Sequence, residues 1–143
     1  MSLPFRVIEP PATADDLARL SATFGMLPPS YLAFLASSDG AEWCIHDERG
    51  DCLVVWSAHE LPDMNDAYEV QRWLPEVLVF GSDGGGHAIA FDRSAASDPE
   101  SWSIVRIPFG ALAREEFVLL ATGFREWQSQ EFRIRPLPND RSA

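Results

Sequence analysis

A glycine-rich hexapeptide between two apolar segments constrains the fold of this chain more than any other feature. Residues 77–80 and 87–91 are rich in Val, Ile and Phe, and Gly-Ser-Asp-Gly-Gly-Gly separates them at positions 81–86. Glycine adopts the positive φ angles that a tight reversal needs, so the pattern predicts a β-hairpin. A phosphate-cradling loop is the alternative, but a strand and not a helix follows, and Asp83 would repel an anion.

The first forty residues predict a pair of helices. Thr13 is a helix N-cap followed by acidic residues, and the apolar side chains recur at helical spacing until Gly25 ends the helix. A second helix starts at the prolines of segment 27–30 and ends at Asp39-Gly40. The apolar positions of the two helices are Leu17, Leu20, Phe24, Tyr31, Leu32, Phe34 and Leu35.

The rest of the chain predicts strands and further helices. Residues 43–56 alternate in polarity around the turn at 47–51, which indicates a first hairpin, and residues 102–108 form another strand. Residues 65–73 predict a polar surface helix, because their apolar residues share one face, and the helix ends before Pro75. A core-facing stripe on the longest helix is predicted from Phe117, Leu120, Ala121, Phe124 and Trp127.

These elements predict one α+β domain. Its mainly antiparallel sheet of about 4–6 strands packs against N-terminal and C-terminal helices. A chain of 143 residues has the usual size of a single domain. We expect the domain to cover residues 1–132 and residues 133–143 to form a flexible tail.

The charge of the chain restricts its partners. With 22 acidic and 11 basic residues, the net charge is −11, and such a field repels nucleic acid and anionic membranes. It would steer a cationic protein toward the chain, although a plain role in solubility is equally compatible. Every basic residue is Arg, which excludes Schiff-base and P-loop chemistry that depends on Lys.

Cysteine usage predicts the compartment. Cys44 and Cys52 are the two cysteines and do not make a disulfide framework. The start of the chain lacks a signal-peptide pattern, and no apolar run approaches the roughly 20 residues of a membrane helix. We therefore expect a cytoplasmic protein with reduced thiols.

No pattern in the sequence predicts an active site, a metal site or a cofactor. Cys44, His46, Cys52 and His59 could supply four zinc ligands, but their spacing is not that of a zinc finger, and small buried cysteines with surface histidines explain them. A Cys44 nucleophile with a histidine base lacks an identifiable orienting group and oxyanion hole. We expect a chain without catalytic residues, which is not an enzyme.

The candidate partner-binding residues surround the first hairpin. Glu42, Asp47, Glu48 and Asp51 place four carboxylates on or beside its tip, with Trp43 at its base. A solvated turn is one interpretation, and an acidic rim beside an aromatic anchor for a cationic protein is the other. Asp83 and His87, from the second hairpin, are predicted neighbours of this surface.

Five segments follow one another in a characteristic order: Leu-Pro-Pro-Ser-Tyr-Leu-Ala-Phe-Leu (27–35), Asp39-Gly40, Phe-Gly-Ser-Asp-Gly-Gly-Gly-His-Ala-Ile-Ala-Phe-Asp (80–92), the strand 104–108 and Ala-Thr-Gly-Phe-Arg-Glu-Trp (121–127). In this order they resemble the SUKH superfamily, and within it the Smi/Knr-type branch, from about residue 17 to 127. The resemblance implies a bacterial immunity protein that binds and neutralises a cognate secreted polymorphic toxin, often a nuclease, by stoichiometric occlusion. A regulatory or scaffold module, as in eukaryotic relatives, is the alternative.

Overall fold

The computed structural model describes residues 7–44 and 52–134, which form one antiparallel sheet and five α-helices. The sheet has seven strands, and their spatial order is their order in the chain. The predicted α+β class with one antiparallel sheet is confirmed. Most of the predicted tail, residues 135–143, lies outside the described residues. The strands are β1 (Val7–Ile8), β2 (Ala41–Cys44), β3 (Cys52–Val55), β4 (Val77–Ser82), β5 (His87–Asp92), β6 (Ser103–Pro108) and β7 (Val118–Ala121), and the helices are α1 (Ala14–Phe24), α2 (Pro29–Ser37), α3 (Glu60–Ala67), α4 (Val70–Trp73) and α5 (Phe124–Ser129).

The hairpin of β4 and β5 is present as predicted, and its strands are longer than the sequence indicates. Gly84 and Gly86 adopt φ values of 75° and 96° in the turn. Gly81 lies within β4, where a β-bulge shifts the register against β5. A Cβ at this position would collide with the Val54 carbonyl of β3, so Gly81 allows the two strands to approach each other.

The two N-terminal helices are also confirmed. The Thr13 side chain accepts a hydrogen bond from the Asp16 N–H while Asp16 accepts from the Thr13 N–H, and Gly25 caps the far end of α1 with φ 83°. α2 receives its N-terminal cap from a distant carboxylate. Glu100 accepts hydrogen bonds from the Ser30 N–H at 2.8 Å and the Ser30 hydroxyl at 2.5 Å.

Aromatic side chains fill the centre of the core, where the helices cover the sheet. The Tyr31 ring makes edge contacts with the rings of Phe80, Phe91 and Phe124 at centroid distances of 5.5, 5.2 and 5.4 Å. The Trp127 ring meets Phe80 edge to face at 5.5 Å. These contacts join α2 and α5 to β4 and β5 in one cluster.

The predicted long helix over residues 117–127 is wrong. Residues 118–121 form β7, which pairs with β6, and the longest helix among the described residues is the 11-residue α1. Gly123 lies between β7 and α5, and this position has no room for a side chain because a Cβ would meet the Glu100 carbonyl at 2.5 Å. Phe124 and Trp127 are nevertheless fully buried, as the stripe predicts.

The predicted surface helix over residues 65–73 is wrong in extent, and its first residue is buried and not at the surface. Glu69 adopts a left-handed φ of 52° and separates α3 from α4. Asn65 is buried, and its side-chain amide donates to the Val79 carbonyl at 2.8 Å and accepts from the Val79 N–H at 3.1 Å. Gln71 donates to the Val77 carbonyl at 2.7 Å. These bonds occupy backbone polar groups in the part of β4 that does not pair with β3.

Tyr31→Phe is expected to raise the free energy of unfolding by about 1 kcal/mol, because an unsatisfied buried hydroxyl is costly. The Tyr31 side chain is fully buried, its hydroxyl has no hydrogen-bond partner among the described residues, and burial raises its pKa. Urea unfolding would measure the change, with the exposed Tyr68→Phe as the unchanged control. A loss of stability in Tyr31→Phe would show that the hydroxyl has a favourable partner.

Candidate functional site

A disulfide between Cys44 and Cys52 closes the first hairpin at its loop end. The expectation of reduced thiols is therefore wrong. The register of the hairpin places the two cysteines directly opposite each other, with their Cα atoms 3.9 Å apart. The number of cysteines in the sequence does not reveal which strand residues face each other, so the disulfide could not be predicted from it. Neither cysteine has a free thiol that could ligate zinc or act as a nucleophile.

The predicted partner-binding residues of this hairpin are described in part. Glu42 lies in β2 opposite Val54 and is exposed. Trp43 lies in the same strand opposite Leu53, and its side chain is outside the described part of the structure. Asp47, Glu48 and Asp51, together with His46, also lie outside the described residues.

Asp83 and His87 flank the glycines of the β4–β5 turn, and Asp83 contacts the first hairpin at its loop end. The Asp83 carbonyl accepts a hydrogen bond from the Cys52 N–H at 3.2 Å. The Asp83 side chain is buried, and its Oδ1 accepts from the N–H groups of Gly85 and His87 at 2.8 and 3.1 Å. The His87 Nδ1 lies 3.0 Å from Asp83 Oδ2, which is an ion-pair distance without hydrogen-bond alignment. The Asp83 carboxylate thus organises the β4–β5 turn.

An open acidic groove lies next to Glu42, at the end of β2 and β3 away from the disulfide. Four carboxylates line this groove of about 400 Å³: Glu9, Asp39, Glu42 and Glu60. Asp39 accepts from the Ala58 N–H at 2.7 Å and Glu60 from the Ser57 N–H at 3.1 Å, while Glu9 and Glu42 are exposed. Of the four, the sequence predicts Glu42; Asp39 lies just before it in the chain, whereas Glu9 and Glu60 come from separate segments that carry no shared signal.

A second groove is lined by aromatic and small residues between helix α4 and the β6–β7 loop. We call it the aromatic groove: Tyr68, Trp73, Phe109 and residues 110–113, around about 380 Å³. Trp73 is 57% and Tyr68 40% exposed. The sequence places Trp73 on one helical face with the buried Val70 and so does not indicate this surface. Only the fold shows that these two large aromatic rings are exposed, and such exposure is typical of a binding surface.

The loop that forms one wall of the aromatic groove is held by Arg114. Its guanidinium donates to Asp92 at 3.1 Å, to Ser94 at 2.9 Å and to Glu76 at 2.8 Å. Burial alone would raise the pKa of Asp92, but hydrogen bonds from Arg114 and Ser94 outweigh burial and hold that pKa below its ordinary value. The Asp92 carboxylate therefore stays charged and anchors the loop at neutral pH.

Residues 11–130 match the model of the SMI1 / KNR4 family (SUKH-1). A comparison with individual curated proteins gives no match. Among residues 7–44 and 52–134, no helix combines the length and apolarity needed to cross a bilayer. The family match spans most of the chain, including α1, α2, both hairpins, β6, β7 and α5. The chain therefore belongs to the SMI1 / KNR4 family (SUKH-1), as its sequence resemblance predicts.

Proposed function

We propose that this chain is an immunity protein that binds a cognate secreted polymorphic toxin and neutralises it stoichiometrically, without catalysis. Family membership supports a role in protein binding. The observation that carries the proposal further is the acidic groove, which brings Glu9 and Glu42 together as exposed carboxylates beside the first hairpin. A nuclease toxin has a cationic surface because it binds phosphate backbones, and an acidic face complements it.

The proposed mechanism is occlusion. An acidic surface accelerates encounter with a cationic toxin, and contact then blocks the toxin's access to its substrate. The proposed compartment is the cytoplasm, in which a nuclease toxin would find its substrate. The proposal requires a tight complex of one toxin domain with one immunity chain and no turnover.

Co-expression with the C-terminal domain of a polymorphic toxin encoded beside the gene tests the proposal directly. We expect cells to survive when the immunity chain is present, and the two chains to co-purify in equal amounts. Toxicity that persists without co-purification would contradict immunity. An interaction with an endogenous protein in place of the toxin would support the regulatory module.

Charge reversal tests the role of the acidic groove. Glu9→Lys with Glu42→Lys is expected to slow association with the toxin domain at least about tenfold at low salt, because rim charges act mainly on the association rate. Asp15→Lys with Asp63→Lys makes the same change in net charge on exposed positions of α1 and α3 and serves as the control. Equal association rates for the two variants would exclude the acidic groove as the docking face.

A further inference from the structure

The aromatic groove exposes two large rings, whereas most aromatic side chains in the described part of the structure are buried. Trp and Tyr are the residues that most often supply binding energy at protein interfaces. We propose that the aromatic groove anchors the partner, by taking an apolar side chain that is flanked by lysine or arginine. This inference rests on the proposed function and names the part of the toxin surface that is recognised.

The rings of the groove are held in place before any partner arrives. The Tyr68 ring stacks on Phe109 with centroids 4.1 Å apart and 23° between the planes, and Phe109 stacks on the buried Trp56 at 6.4 Å. The Phe109 N–H donates to the Gly86 carbonyl at 2.9 Å, which fixes the start of the loop to the β4–β5 turn. A preformed groove loses little conformational entropy when it binds.

The exposed Trp73 is held by contacts within its own helix. The Arg72 guanidinium lies 5.0 Å from the Trp73 ring centroid and makes an ion pair with Glu69 at 2.9 Å. Helix α4 itself is anchored by the fully buried Val70. Trp73 is 57% exposed, so its ring remains accessible to an apolar side chain of the partner.

The charges around the aromatic groove favour a cationic partner. The exposed charged residues within three positions of its lining residues comprise five carboxylates and two arginines. Both arginines form ion pairs with carboxylates of this chain, and two of those carboxylates, Glu69 and Glu76, belong to the five. Three rim carboxylates therefore remain without an ion pair among the described residues, and they give the rim its negative charge. The carboxylates are Asp66, Glu69, Glu76, Glu115 and Glu116, and the arginines are Arg72 and Arg114.

The same charges argue against other occupants. A second copy of this chain carries a net charge of −11 and would bring one acidic rim against another. Nucleic acid and anionic lipid are repelled for the same reason. A basic protein segment with an apolar side chain can contact the aromatic rings and also pair with the carboxylates around the groove.

A defined peptide tests the groove independently of any toxin. We would titrate the ¹⁵N-labelled chain with the peptide Gly-Lys-Arg-Leu-Arg-Lys-Gly and follow the amide and indole signals by NMR. The expected shifts lie at Tyr68, Trp73 and the loop residues 110–113. Replacing the peptide's leucine by serine, or its basic residues by glutamine, should weaken binding at least about tenfold, since both the ring contact and the charge are needed.

Matched variants of the chain make the peptide test decisive. Trp73→Ala should abolish the shifts at the groove, whereas Met26→Ala removes another exposed apolar side chain, 75% exposed and outside the groove, and should leave them unchanged. Shifts scattered over the surface, or equal affinity of Trp73→Ala and the unmodified chain for the peptide, would overturn the inference.

The toxin domain separates failure of this inference from failure of the proposed function. Trp73→Ala is expected to weaken toxin binding at least about thirtyfold, the effect of losing a hot-spot side chain. Equal toxin binding by Trp73→Ala and the unmodified chain overturns the groove as the anchor while the immunity function stands. Peptide binding in the groove without toxin binding supports the groove and contradicts the immunity function.

Discussion

Trp127→Ala is expected to lower the free energy of unfolding by about 3–5 kcal/mol, the usual cost of deleting a buried aromatic side chain. Trp127 is fully buried and meets Phe80 and Phe132 edge to face at 5.5 and 5.1 Å. Its indole N–H donates to the Arg133 carbonyl at 2.7 Å, so the substitution also leaves that carbonyl without its partner. Chemical denaturation followed by circular dichroism measures the loss.

Trp73→Ala is the matched control for this prediction. The same residue type is removed, but Trp73 is 57% exposed, and surface substitutions usually change stability by about 0.5 kcal/mol or less. The two variants distinguish a tryptophan that stabilises the fold from a tryptophan that we propose to bind the partner. Equal losses of stability in the two variants would contradict the assignment of both residues.

Gly81→Ala is expected to lower the free energy of unfolding by about 3 kcal/mol, because overpacking between strands forces the backbone to shift. The new Cβ would collide with the Val54 carbonyl, and this carbonyl belongs to the neighbouring strand β3, which cannot give way like the end of a flexible side chain. Thermal unfolding of the purified variant measures the change.

Gly85→Ala provides the control within the same glycine-rich segment. A Cβ at Gly85 would make an ordinary contact with the Asp83 carboxylate at 3.6 Å, and this glycine does not need positive φ. Its stability is expected to stay within about 1 kcal/mol of the unmodified chain, with a small gain from the stiffer unfolded chain. If Gly85→Ala lowered the free energy of unfolding as much as Gly81→Ala, the glycines would be needed for the flexibility of the turn and not for the close approach of β3 and β4.

Elements with local signals could be predicted from the sequence. Thr13 and Gly25 set the ends of α1 through bonds to neighbours in the chain, and the glycines of segment 81–86 define the second hairpin. Residues 118–121 could not be predicted in this way. Their apolar side chains continue the helical spacing of Phe124 and Trp127, and pairing with β6, which is distant in the sequence, decides that they form a strand.

The candidate surfaces could be predicted from the sequence only in part. Glu42 stands out because it neighbours an acidic turn, but Glu9 and Glu60 join it only through the pairing of β1, β2 and β3 and the start of α3. Trp73 has the spacing of a buried residue relative to Val70. The left-handed Glu69 shortens α4 to four residues and leaves Trp73 exposed at its end.

The amide side chains of Asn65 and Gln71 have a consequence for how this chain behaves among other chains. β3 pairs with β4 only at Gly81 and Ser82, so the other half of β4, rich in Val and Phe, would present open backbone groups to any passing strand. Asn65 binds both polar groups of Val79, and Gln71 covers the Val77 carbonyl. The side chains of α3 and α4 thus occupy backbone groups through which another strand could pair with this half of β4, and they protect the folded chain from edge-to-edge association.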